Sequence, residues 1–471
     1  MAGATKYQPY PAYRPSGVEW LGDIPDGWEA TRLKQTVEQS RKITYGIVQA
    51  GPNLEVGIPY IRPADMTDES GIRDYSNLMR TSLQIAVDYE RSKIAGGDLV
   101  CSIGPSFGKV MLVPNKLSGA NLTQGTARIA INEENSPKFI FWVLRSPITF
   151  QQWESSVGGA TFRALNLGPL SETYLSAPPL PEQTKIAAFL DYETAKIDAL
   201  IAKQQQLIAL LEEKRQAVIS HAVTKGLDPD APLRPSGIDW LGDVPAHWEI
   251  TRVKFEVSKI SDCLHTTPTY DGDLKYPAIR TADVERGVLK LETTRLVSEE
   301  IYRERIVRIE PQENDVLYSR EGERFGMAAL VPADTKLCLG QRMMMFRTDM
   351  QLDAGFFMWS LNGDSIINQV LVDVSGSTSP HINISDIRNF WMMLPPKHEQ
   401  EEIVALISAK ITKIDQTNSK AQSAITLLKE RRTALISAAV TGKVDLRDWQ
   451  PPEGASEQSR QDTNHPEEAL A

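Results

Sequence analysis

The chain has 471 residues, 41% of them hydrophobic and 24% charged, with a formal net charge of −10. That length holds about three or four domains with apolar content for several cores, so a folded, soluble protein is expected. It has no apolar run of about 18 residues, no basic-then-apolar stretch at its start, and three cysteines without a CxxC pair, which sets aside membrane-spanning, secreted and cysteine-stapled classes. A cytoplasmic protein with no membrane association is expected, its cysteines serving as small buried hydrophobes.

In chain order, residues 1–13 form an N-terminal arm. Arg14-Pro15-Ser16-Gly17-Val18-Glu19-Trp20-Leu21-Gly22-Asp23-Ile24-Pro25 opens a first domain over 14–180, with Trp28-Glu29 close behind. The phrase returns as Arg234-Pro235-Ser236-Gly237-Ile238-Asp239-Trp240-Leu241-Gly242-Asp243-Val244-Pro245, with Trp248-Glu249, in a second domain over 227–396. Ile197-Asp198 likewise reappears as Ile414-Asp415, at nearly the same offset, and Leu210 to Arg215 as Leu427 to Arg432. A period this long marks a duplicated domain pair, not a solenoid of roughly 20 to 50 residue units. Two like halves in near two-fold relation suit a bipartite target.

Each domain is followed by a long helix. Residues 182–225 hold neither Pro nor Gly. A walk in steps of three and four through Ile186, Leu190, Glu193, Ile197, Leu200, Gln204, Leu207, Leu211, Lys214 and Val218 is mostly apolar, so a coiled-coil-like spacer helix is expected over 181–226. The equivalent walk over 397–443 passes through Ile403, Ile407, Lys410, Ile414, Thr417, Ala421, Ala424, Leu428, Arg431 and Leu435. Pro178-Pro179 and Pro395-Pro396 bar helix before each, and Gly226 and Gly442 stop them. Some 40 residues of helix span about 60 Å. The two should pack on each other, the alternative being that each belongs to its own domain; the polar Glu193, Lys410, Lys214 and Arg431 would set register. Residues 444–471 carry seven acids against two arginines and read as a disordered acidic tail.

Both domains read as α+β with a twisted sheet. They echo each other in islands: Ile61-Arg62 with Ala64-Asp65 against Ile279-Arg280 with Ala282-Asp283, Gly97-Asp98-Leu99 against Asn314-Asp315-Val316, and Gly159-Ala160-Thr161 against Gly376-Ser377-Thr378. A shared scaffold with differing loops is what one chain needs to read two ligands. Catalytic motifs are wanting. Gly104 to Lys109 is one residue short of a phosphate loop and is followed by Val110, and the six histidines form no HExxH or HxH. No metal site and no bound cofactor are expected in this chain.

The negative charge argues against nucleic acid, but the tail alone contributes −5 (2 − 7), and residues 30–179 hold 15 basic against 13 acidic side chains. Loops after short strands mix Arg, Ser, Thr, Gln and His. In the first domain the candidates for DNA contact are Arg62, Ser102, Ser106, Lys109, Gln124, Thr161 and Arg163. In the second they are His265, Thr266, Thr267, Arg280, Ser319, Arg320, Arg324, Gln341, Arg342, Ser377 and His381. Arg pairs bidentately with guanine and Gln with adenine, while hydroxyls hold phosphates.

The order of these features resembles one family, the DNA-specificity (S) subunit of Type I restriction-modification systems. The resemblance rests on Ile24-Pro25-Asp26-Gly27-Trp28-Glu29 and Val244-Pro245-Ala246-His247-Trp248-Glu249 at the start of each domain, on Asp262 to Pro268, on Asn314 to Arg320, on Gly376 to Asn383, and on Pro178 to Gln183 with Pro395-Pro396 and Glu399-Gln400 ahead of the helices. It covers roughly residues 14 to 443 and departs at Phe162-Arg163-Ala164, where the family more often has a Pro-His-like turn. The resemblance implies an α+β protein with two globular target-recognition domains in pseudo-two-fold arrangement, joined by two long antiparallel spacer helices. Each domain would read half of a split, asymmetric double-stranded DNA target. It also implies partners: two modification subunits bringing S-adenosylmethionine, and two restriction subunits bringing ATP and Mg²⁺, with this chain non-catalytic. The rival readings are a protein-interaction scaffold on a helical ruler and a self-contained nuclease or methylase.

Overall fold

The computed structural model describes residues 7–67, 71–157, 163–238, 241–322, 324–374 and 382–452. The chain divides into two compact units, 1–203 with 424–471, and 204–423, rather than three or four domains. The division runs through both long helices, Leu180–Lys225 and Lys397–Val440. Neither helix belongs to one unit: each unit owns half of each, and the two helices join the units.

The units repeat one topology. In the first, Tyr13–Pro15 pairs with Asp23–Pro25 and Glu29–Arg32 with Tyr174–Ala177. A four-stranded antiparallel sheet runs Thr44–Tyr45, Thr126–Ile129, Leu99–Ser102, Val110–Leu112, and a three-stranded one runs Arg80–Thr81, Ile58–Ile61, Asn121–Leu122. In the second unit the matching four strands are Val257–Asp262, Met343–Thr348, Val316–Ser319 and Ala328–Leu330. Leu99–Ser102 and Val316–Ser319 read as mostly apolar runs because both faces are covered. Leu99 and Cys101 enter one core with Trp28, Phe139 and Trp153, while Val100 faces a second core with Ile61 and Met111. Val316 and Tyr318 against Leu317 repeat this division. Burial pushes the thiols of Cys101 and Cys338 up to about 12.

The repeated motifs now have reasons. Gln183 and Gln400, both buried, each donate to the carbonyl of the proline ahead of their helix (Pro178, 2.9 Å; Pro395, 2.8 Å) and accept a main-chain N–H from the domain (Ser136, Asp353). One residue earlier, Glu182 takes the Trp28 indole N–H at 3.1 Å and Glu399 takes that of Trp248 at 3.1 Å. Each tryptophan also closes on a helix end. Gly226, at a φ of 75°, ends the first helix against Trp248, and Gly442, at a φ of 70°, lies past the second, where an added Cβ would meet Pro25 at 2.4 Å. Glycine alone meets both demands.

Inside each unit the helix halves pair antiparallel. In the second, Arg215 Nη1 donates to Asp415 Oδ1 at 2.5 Å and Asn418 to Glu212 at 2.8 Å; in the first, Arg432 holds Asp198 bidentately at 2.8 and 3.1 Å. The seam departs from the expected walk. After Ile197 the inward positions are Ile201, Gln204, Ile208, Leu211, Arg215 and Ile219, whereas Leu200, Leu207 and Lys214 are exposed, as are Lys410 and Arg431. Register is therefore held by Arg215 and Arg432, one residue beyond the expected Lys214 and Arg431, and Glu193 is buried beside Tyr7. A straight helix of 3.6 residues per turn slips about 20° per heptad, so the buried stripe drifts off a strict three-and-four walk along a helix of this length.

The expected tail also begins later than residue 444. Leu446 is fully buried in the first core and Trp449 sits edge-on to Phe189 at 5.5 Å, because the second helix returns the chain to that core; the rest of the tail, from 453, lies outside the described residues.

Candidate nucleic-acid interface

In the first domain the candidate loops leave one end of the four-stranded sheet. Residues 103–109 join strands Leu99–Ser102 and Val110–Leu112, so the glycine-rich stretch there is a hairpin loop between strands and not a phosphate loop opening a helix. Ser102, fully buried, donates to Ser106 O at 2.9 Å and accepts the Lys109 N–H at 2.9 Å, which closes the loop. Lys109 reaches back to Met66 O at 3.0 Å. Beside it, Ile103 N–H bonds Gly125 O at 2.8 Å, bringing the exposed Gln124 next to this loop. Phe107 stacks on Phe150 at 5.8 Å, and the exposed Arg163 lies 5.9 Å from the Phe107 ring while pairing with Glu154. Thr161 lies outside the described residues.

In the second domain three loops meet. His265 Nε2 is 3.0 Å from Asp262 Oδ2, Thr267 donates to Gln341 Oε1 at 3.1 Å, and Gln341 Nε2 donates to His265 O at 3.3 Å. Arg320 lies 3.3 Å from Asp262 and 3.4 Å from Glu321; Glu321 also holds Arg342 at 3.3 Å. Arg342 is an arginine at a φ of 70°, a conformation L side chains rarely adopt, and it is well exposed. Backbone strain of this kind collects at functional sites. Ser377 and His381 lie outside the described residues.

Several candidates are corrected by this geometry. Ser102 and Ser319 are fully buried, as strand ends packed on both faces, and cannot touch DNA. Arg320 is only 4% exposed and serves to fix the Asp262, His265 and Glu321 side chains. Arg62 and Arg280 form the same clasp in both domains: main-chain N–H and Nε to one oxygen of Asp65 or Asp283, Nη2 to the other, at 2.6 to 3.0 Å. That clasp explains the repeated Arg-x-x-Asp island as scaffold. Arg324 turns away to Ala282 O and Glu285, in a cleft shared with Arg215 and Asp415. The exposed set is Ser106, Gln124, Arg163, His265, Thr266, Thr267 and Arg342. Sequence reasoning missed Arg305, buried, which supports the His265 loop through Thr266 O at 2.6 Å and Leu339 O at 3.1 Å. It sits in a charged helix, Glu299–Arg305, that reads as solvated. Among the described residues no group of His, Cys, Asp or Glu could hold a metal ion, and no helix is long and apolar enough to cross a membrane.

Duplicated α+β domains, each presenting polar loops from the end of a buried sheet, define a two-site recognition protein. Residues 25–210 and 248–427 match the Type I restriction modification DNA specificity domain, and the chain belongs to that family. It is 20% identical to the Type I restriction enzyme MjaIX specificity subunit of Methanocaldococcus jannaschii over 91% of this chain and 96% of that one. To the EcoKI specificity subunit of Escherichia coli it is 23% identical over 90% of each. With the EcoBI specificity subunit of Escherichia coli the likeness is 28% over 42% of each chain. The fold is similar to a chain of a solved type I R-M system studied for complex assembly and conformational transition, with a TM-score of 0.66, 18% identity, and 89% of this chain and 99% of that chain covered.

Proposed function

We propose that this protein is the sequence-reading subunit of a Type I restriction-modification complex in the cytoplasm. Each domain reads one half of a split, asymmetric double-stranded DNA target, and the chain directs adenine methylation or cleavage by partner subunits. Two modification subunits bring S-adenosylmethionine and two restriction subunits bring ATP and Mg²⁺; this chain is non-catalytic. The observation that carries the reading is one scaffold used twice, with clasp, sheet and Glu-Gln motif repeated, while the exposed loop side chains differ between domains. A duplicated enzyme would keep its reactive groups alike; a reader of two half-sites needs them unlike. Base edges are met by exposed Gln124 and Arg163 in the first domain and by His265 and Arg342 in the second.

Methylation mapping by single-molecule sequencing, in cells expressing this chain with its neighbouring methylase and in cells lacking the chain, tests the reading. A split adenine-methylated motif that vanishes without the chain is expected. An unchanged pattern, together with DNA affinity indifferent to salt, would leave the protein-interaction scaffold instead.

A further inference from the structure

Both domains carry a basic cleft along the edge strand of the four-stranded sheet. In the first, a cleft of about 1000 Å³ is lined by Arg41, Lys42, Arg91, Lys93 and Arg128, with Glu90 its one carboxylate. Glu90 is 3.3 Å from Lys93, and Arg41 is answered bidentately by Asp98 at 2.9 and 2.5 Å. Lys42 and Arg91 are exposed and have no acidic partner among the described residues. Arg128 is 5% exposed; its Nη1 and Nη2 donate to Lys93 O (3.0 Å) and Lys42 O (3.2 Å), and its buried Nε has no hydrogen-bond partner among the described residues. Burial, and then the charge of Arg41, draw its pKa below the usual arginine range. A buried cation is costly. Asp98 and Glu38 offset part of that cost, but both are engaged by Arg41, and no carboxylate bonds Arg128 directly among the described residues; a bound anion would relieve the remainder.

In the first domain strand register separates the cleft from the loops, whereas in the second Arg308 also donates to Asp262 O (3.4 Å) and Cys263 O (3.3 Å), at the base of the His265 loop. Arg128 lies opposite Val100 and Thr44, and Asp98 precedes Leu99, whereas the Ser106 loop leaves beyond Ser102 at the other end of that strand. In the second domain a cleft of about 610 Å³ on the matching edge strand is lined by Lys254, Lys259, Arg308 and Arg388, with no carboxylate. Lys259 stands as far along the chain from Lys42 as Arg308 does from Arg91 (259 − 42 = 308 − 91), the offset that relates Ile414-Asp415 to Ile197-Asp198. Two exposed cations thus recur in one place in domains whose loops have diverged, and an exposed lysine has little folding reason to recur. The base differs: Met345, buried, holds the position of Arg128 at that same offset.

We propose that each edge-strand cleft binds a phosphate group independent of sequence, with Arg128 deepening the first. Guanidinium and ammonium donors around one concavity suit phosphate oxygens. The phosphate comes either from a nucleic-acid backbone or from a free phosphate-bearing solute, and the proposal rests on the cleft's own charges, not on the DNA reading.

The full chain is compared with Lys42→Ala/Arg91→Ala, Lys259→Ala/Arg308→Ala, and Arg128→Met, the residue of the second domain. In one arm, binding of a random-sequence duplex is titrated with salt. Loss of two backbone contacts lowers the slope of log K against log salt by about 2 in each double variant, and Lys42→Ala/Arg91→Ala does so without altering half-site preference. In the other arm, calorimetric titration of inorganic pyrophosphate gives heat with the wild type that Lys42→Ala/Arg91→Ala abolishes and Arg128→Met reduces, marking a free-phosphate source. Unchanged slopes in both double variants, with no pyrophosphate heat, overturn the proposal while leaving the DNA reading intact. Pyrophosphate heat in a chain that binds no DNA does the reverse.

Discussion

At one matched loop the first domain has Gln124-Gly125 and the second Gln341-Arg342, equivalent positions in the two repeats. The scaffold around them is alike, since Ile103 N–H bonds Gly125 O in the first and Arg320 N–H bonds Arg342 O in the second. The side chains are not. A Cβ on Gly125 would meet Pro63 Cγ at 2.9 Å, so that loop presents Gln124 alone. The second domain gives Gln341 to Thr267 and projects the cation of Arg342 instead. Scaffold and reader are separate properties of this fold, and variation at one loop residue changes what is presented without touching the core.

The largest effects should come from what the domains share. Trp28→Ala and Trp248→Ala each remove an indole only 1% exposed, at a cost of about 3–5 kcal/mol. Trp28 should cost more, because Tyr10 packs edge-on to it at 5.6 Å and also donates to Glu182, an arrangement the second domain replaces with exposed His247 on Glu399. Hydrogen exchange at Leu99–Ser102 and at Val316–Ser319 reads each unit separately. Equal loss of protection in both strands from either variant would show that the units unfold as one and break the comparison.

Next comes the residue that differs. Arg342→Gly relieves a left-handed backbone, so the second unit should keep its stability or gain up to about 1 kcal/mol. Discrimination at one half-site should meanwhile fall by about 1–3 kcal/mol, with the other half-site unaffected. Competition binding against half-site mutants checks it; equal loss at both would assign Arg342 to general phosphate contact. The clasps follow. Asp283→Ala strands Arg280 at about 1–3 kcal/mol, and Asp65→Ala should cost less, its carboxylate being 10% exposed against 2%. Thermal unfolding of the two variants ranks them, and the reverse order would deny burial the deciding role.

Much of the fold was legible because duplication repeats physics. The tryptophan of the opening phrase, the Glu-Gln in the first turn of each helix and the terminal glycines recur since each makes a specific contact in each unit. The site was less so, for the same reason. Arg62 and Arg280 recur as strongly as any contact residue would, yet they are clasped to Asp65 and Asp283, and sequence does not separate a cation turned inward from one turned outward. Ser102, Ser319 and Arg320 were obscured likewise by burial that only the packed sheet reveals. The halved ownership of the helices was not legible at all, because no local signal marks Lys203 or Ser423 as a boundary within unbroken helix.

The smallest effect is also the finest comparison. Asp198 with Arg432 and Asp415 with Arg215 are one ion pair made twice, each joining an aspartate of one helix to an arginine of the other. In the first unit the pair is bidentate and Arg432 lies 5.9 Å from the Trp142 ring; in the second Arg215 spends its other nitrogen on Arg286 O at 2.8 Å. With the aspartates about 40% exposed, each pair contributes about 0.5–1 kcal/mol. A charge swap, Asp198→Arg with Arg432→Asp, should recover most of what either single change loses, since among the described residues that arginine answers to its aspartate and a ring. The swap Asp415→Arg with Arg215→Asp should recover less, because aspartate cannot donate to Arg286 O. Double-mutant cycles on hydrogen exchange in each unit decide it; equal recovery would mean that the Arg286 contact carries no energy and that the two seams are equivalent.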